Sequence, residues 1–166
     1  SSFVPVDLSP KEILFLDYIN GVSTSNLGIA GYWTHEYNLD YQKTLEKLFK
    51  CGYLTFSDYK FNMTQCKVDE LKNVLKSHGL KVSGKKADLI NRLIENLPED
   101  ELKELFSESC FMITDAGAAI TQKNSHIMYF HRHFNQFGIS IDEADRYFKL
   151  HPGVNQFDIA LILLYD

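Results

Sequence analysis

Cysteine is scarce in this sequence, and the three present, Cys51, Cys66 and Cys110, stand too far apart to form a metal-binding pair. Their number is odd and they outline no disulfide frame, so buried structural thiols in a reducing, cytoplasmic setting are expected. Long apolar runs are also missing. The longest spans residues 159–165, against about 20 residues for a membrane-spanning helix. The amino end, "SSFVPVDLSP", has neither the basic start nor the apolar stretch of a secretory signal. No Ser-His-Asp or Cys-His arrangement is legible, so no catalytic residue is assigned and no enzyme is expected. No cofactor is implied either. His126, His131 and His133 cluster in "SHIMYFHRHF", but offsets of five and seven do not share one helix face. No carboxylate lies among them, so aromatic packing with exposed imidazoles is expected rather than a metal site.

Positive charge is in deficit, with a net −5 that alone argues against a nucleic-acid partner. Its distribution changes the picture. Residues 66–97 hold Lys67, Lys72, Lys76, Lys81, Lys85, Lys86 and Arg92 against Asp69, Glu70, Asp88 and Glu95. That segment carries +3, which leaves −8 for the remainder of a chain whose total is −5. The acidic "PEDELKELFSE" follows at once. A basic module sits in an acidic host. Aromatics are plentiful, 12 Phe, 9 Tyr and 1 Trp in 166 residues, so a core is available for one domain carrying an insert.

Punctuation marks the elements. Ser9, Pro10 and Glu12 open a helix that stops at Gly21. "GYWTHEY" reads as a short second helix or a turn. Asp40 caps a third, "YQKTLEKLFKCG", and "YLTF" reads as a strand. Three helices, then a strand with "LEKLFKCGYL" at the junction, resemble the winged helix-turn-helix family. Residues 111–117, "FMITDAG", stand where the returning wing strand would. The resemblance implies pairing of residues 53–56 with 111–114, and groove contacts from Gln42, Lys43 and Lys47. After residue 122 the chain reads as helical. Ile127, Phe130, Phe134 and Phe137 form a stripe, and Ser140 with Glu143 forms a capping box. The last helix, "FDIALILLYD", has so little polar face that it needs cover, either from a partner or from a longer parent chain.

Residues 79–90, "GLKVSGKKADLI", begin G-x-x-x-x-G-K, but Lys86 occupies the place of the magnesium-binding hydroxyl of a P-loop. A helix rather than a strand precedes it, so nucleotide hydrolysis is not expected. Val68, Leu71 and Leu75 mark that preceding helix, with Thr64 or Gln65 as its start. Leu89, Ile90, Leu93, Ile94 and Leu97 mark a following helix, with Ser83 as its cap. Lysines in a first helical turn are disfavoured by a few tenths to about 1 kcal/mol, so Lys85 and Lys86 there imply an external anion.

Val68, Leu71, Leu75, Gly79, Leu80, Gly84, Lys86, Leu89, Ile90, Arg92 and Leu93 together resemble the SAP motif, over residues 66–97. The resemblance implies a helix–extended link–helix unit that binds duplex DNA with weak sequence preference. Its contacts would be Lys81, Ser83, Gly84, Lys85 and Lys86, with Arg92 as a further one. The host also resembles phage-encoded proteins of Gram-positive bacteria that carry a SAP unit. The resulting fold class is mainly α with a small β-hairpin: a winged-helix-like host, an inserted SAP module and C-terminal helices. The host would comprise 1–62 and 108–122, the module with its acidic connector 63–107, and the C-terminal helical segment 123–166. The expected function is non-catalytic binding of double-stranded DNA. Two alternatives stand beside it. One is a protein-interaction or scaffold module docking a partner through the acidic host or the apolar C-terminal helix. The other is a piece of a longer enzyme. No membrane partner is expected, and the oligomeric state is not legible.

Overall fold

The computed structural model describes residues 8–25 and 27–165. Most of the stretch read for a signal segment, residues 1–7, lies outside them. Along the chain, α1 (Pro10–Ile19), α2 (Tyr32–His35) and α3 (Tyr41–Lys50) precede β1 (Leu54–Phe56). Then come α4 (Tyr59–Gln65), α5 (Val68–Ser77), α6 (Lys86–Asn96) and α7 (Glu99–Leu105). Strand β2 (Phe111–Ile113) leads to α8 (Asp115–Lys123), α9 (Ser125–Arg132), α10 (Phe134–Phe137), α11 (Ile141–Leu150) and α12 (Gln156–Tyr165). The fold is mainly helical, with one small antiparallel sheet of β1 and β2. The pairing of 53–56 with 111–114 read from the sequence is therefore present.

The chain divides into two compact units. The first takes Ser1–Asn20, Gly28–Thr55 and Ile113–Asp166; the second takes Gly21–Leu27 and Phe56–Met112. In the first, α1 packs against α8, α9 and α11. Its run Ile13, Leu14, Phe15, Leu16 is buried throughout, because neighbours cover the helix on several sides. Trp33 stands edge-on to Phe15 at 5.1 Å, a favoured aromatic geometry. Asp40 caps α3 by accepting from the Lys43 N–H. Thr114 caps α8 by accepting from the Gly117 N–H at 3.1 Å. Gly117 must be glycine, since a Cβ there would collide with the Tyr53 carbonyl oxygen.

The C-terminal helices depart from the sequence reading in two ways. The stripe from Ile127 to Phe137 is not one helix. The chain breaks at His133, so Ile127 and Phe130 are buried while Phe134 is exposed. The imidazoles are not all exposed either. His126 is buried, stacks on Phe148 at 3.9 Å and donates from Nε2 to Asp145 at 2.9 Å. That carboxylate lies nineteen positions away on α11, beyond the reach of local pattern reading. His131 meets the Tyr37 hydroxyl, and His133 meets Gln136. On α12, Phe157, Leu161, Leu164 and Tyr165 are exposed.

Within the second unit, the ends of its long segment are fastened together. Ser57 N–H donates to the Cys110 carbonyl, and Cys110 N–H donates to the Ser57 hydroxyl, both at 2.8 Å.

Candidate nucleic-acid interface

The basic segment folds as part of a four-helix unit. Asp58 opens α4 by accepting from the Phe61 N–H at 2.8 Å. The apolar pattern of this short helix is too brief to announce itself in the sequence. Because α4 runs to Gln65, neither Thr64 nor Gln65 starts α5; that helix begins at Val68, with Lys67 at its N-cap. Asp69 and Glu70 occupy its first turn, where the helix dipole favours acids. Leu71, Leu75, Leu89 and Leu93 are fully buried between α5 and α6. Each contributes about 1.5–3 kcal/mol by burial. Two such helices expose too much apolar surface alone, and Met63 of α4 with Leu102 and Phe106 from α7 and its end complete the core. Val68, assigned to the inner face by spacing, remains more than a third exposed.

The link between α5 and α6 is fixed by side chains from both ends. Arg92 Nη1 donates to the carbonyls of Lys81 at 2.7 Å and Ser83 at 2.9 Å. His78 closes the other end. Its Nδ1 faces the Val74 carbonyl at 2.8 Å and its Nε2 faces Glu101 at 2.7 Å. Both partners accept, so both ring nitrogens carry protons in this arrangement. The Val74 bond first, then Glu101, hold the imidazole above its ordinary value of 6.5.

Ser83 does not cap α6. Gly84 adopts φ of +123°, a backbone region that only glycine enters readily. This shifts the helix start to Lys85, which is the N-cap. Its N–H donates to Asp88 at 3.0 Å. Asp88 thus supplies the negative charge that the helix start favours. A Cβ on Gly84 would press on Asp88 at 3.1 Å, a second reason for glycine there.

The lysine pair splits. Lys81, Ser83, Gly84 and Lys85 are exposed around the start of α6. Lys86 is half-buried, and its ammonium donates to the Thr64 carbonyl at 2.6 Å, at the C-terminal end of α4. Both lysines are expected from the sequence to face an anion; Lys86 has in addition an acceptor within the protein. The roles of Thr64 and Arg92 were hidden because each rests on a side chain reaching a backbone carbonyl, which leaves no residue-type signal. Of the residues on α3, Gln42 and Lys43 are exposed. Lys47 is paired with Glu12 at 2.9 Å. Burial alone would push the Glu12 carboxyl up; the Ser9 N–H and Lys47 outweigh it and hold it below the usual carboxylate value.

Two thiols lie in the same unit. Cys66 and Cys110 line a cleft of about 320 Å³ with Glu70 and Glu108. Burial, then the contact with Glu70, pushes the Cys66 thiol up to about 11, so it stays protonated at neutral pH. Among the described residues no group of three or more His, Cys, Asp or Glu could hold a metal ion, and no helix is long and apolar enough to cross a membrane.

Comparison with curated proteins and with solved structures finds no match for the chain. The four-helix unit does carry a family signature: residues 64–98 match the family model of the SAP domain, which supports a nucleic-acid-binding role for this segment.

Proposed function

We propose that this protein binds duplex DNA through its SAP segment and acts by binding, without catalysis. The observation that carries the reading is the exposed link that leads into α6. There Lys81, Ser83, Gly84 and Lys85 are exposed together on a link that Arg92 holds in shape. The hydroxyl of Ser83 can donate to a phosphate, and the ammonium groups of Lys81 and Lys85 neutralise it. Contacts of this kind position a protein on the duplex without specifying a base. Lys86 joins only by leaving Thr64, and Arg92 serves by holding the link rather than by touching DNA. Gln42 and Lys43 on α3 are available for further groove contacts, in the manner of a winged helix; Lys47 is engaged by Glu12. The test is fluorescence anisotropy of a labelled duplex at several salt concentrations. With roughly two to four phosphates neutralised, affinity in the micromolar range and a log–log salt slope of about −2 to −4 are expected. No binding at about 50 mM salt would refute the reading.

A further inference from the structure

A second feature, independent of DNA binding, lies wholly in the first unit. A cleft of about 500 Å³ is bounded by residues 36–37, by α9 and α10, and by the start of α11. Its base is apolar. Phe130 and Ile141 are buried there, and Phe134 lies beside them 51 % exposed. Two carboxylates, Glu36 and Asp142, also line it. Neither takes part in the ion pairs formed among the described residues. Both lie close enough to the Tyr37 hydroxyl to oppose its ionisation. The Tyr37 hydroxyl is pushed up to about 12, first by burial, then by Glu36, Tyr32 and Asp142. Other polar groups there are already engaged. The Tyr37 hydroxyl meets His131 at 2.6 Å, its carbonyl accepts from Lys11, and the Ser140 hydroxyl accepts from the Glu143 N–H.

An apolar floor with an exposed ring and two uncompensated carboxylates selects a cation on an apolar stem. An ammonium is compact and strongly hydrated, whereas a guanidinium is planar, more weakly hydrated, stacks on aromatic rings and can bridge two carboxylates. We propose that this cleft docks an arginine side chain on a basic segment of a partner protein. The charge of the first unit agrees: its segments 1–20, 28–55 and 113–166 together carry −4. Such a field draws a basic segment toward the molecule before contact.

The probe is N-acetyl-arginine methylamide, titrated into the isotope-labelled full chain and followed by backbone amide shifts. The neutral citrulline analogue and free spermidine serve as comparison arms. Amides of Tyr37, Phe134 and Asp142 are expected to move, with a Kd on the order of 1 mM for so small a ligand. The citrulline analogue should bind at least about tenfold more weakly, and Glu36→Gln should weaken the arginine probe about three- to tenfold. Phe134→Ala should weaken it without changing the charge. Asp142 also supports the first turn of α11, so the exposed Glu36 carries the decision if Asp142→Asn loosens the fold. Equal binding of arginine and citrulline, unchanged affinity in Glu36→Gln, or spermidine binding as tightly as arginine would each overturn the proposal.

Discussion

Lys85 and Lys86 are neighbours in the chain, yet one ends in solvent and the other on the Thr64 carbonyl. Their substitutions therefore separate. Lys86→Glu removes a cation from the C-terminal end of α4 and places a carboxylate beside a carbonyl. A loss of about 1 kcal/mol is expected, read as a lowered melting temperature. Lys85→Glu puts an acid at a helix start, where the dipole tolerates it. Stability should stay within about 0.5 kcal/mol, while DNA affinity falls and the salt slope shrinks by about 1. Equal melting temperatures for the two variants would contradict this assignment. His78 gives a pH signature at the same scale. Its folded value is raised, so its contribution is fully present below its ordinary 6.5 and fades as pH rises through the raised value. His78→Gln should flatten that part of the stability–pH curve.

The two SAP helices were legible because their leucines repeat at helical spacing and are the residues now fully buried. Their boundaries were not. Ser83 looks like a cap by residue type, but the backbone at Gly84 and the reach of Asp88 move the start two residues on. The link itself shows no periodicity, so nothing in the sequence foretells that Arg92 shapes it. Arg92→Met keeps the aliphatic stem and removes the donors. It should lower stability by about 1 kcal/mol and weaken DNA binding while leaving the salt slope unchanged, because the lost interaction is with the link rather than with phosphate. A slope reduced by about 1 would instead place Arg92 on the DNA.

Across the whole molecule, the basic and acidic parts were visible in the charge pattern, and the helical class in the caps. Contacts that join distant residues were not visible, as with His126 and Asp145. That pair gives the first unit a pH response opposite to that of His78. Burial first, then Lys149, holds His126 below its ordinary value against the Asp145 bond. Burial does the same to His131, with Arg132, against the pull of Glu36. For a depressed histidine, stability is full above 6.5 and is lost as pH falls below it. Hydrogen exchange at pH 5.5 and 7.5 should show α9 and α11 less protected at the lower pH and α5 more protected. The fastening of Ser57 to Cys110 also has a kinetic consequence. The segment between them gathers first through the sequence-local contacts of α5 with α6 and of α6 with α7, and Asn62 then closes it by donating to the Phe106 carbonyl, which leaves its two ends side by side. Joining β1 to β2 then resembles closing a hairpin instead of a loop of some fifty residues, a saving of about 2 kcal/mol in closure entropy. Leu93→Ala, which weakens that gathering, should slow refolding of the first unit as reported by Trp33 fluorescence. A rate unchanged by the substitution would mean that the strands find each other without help.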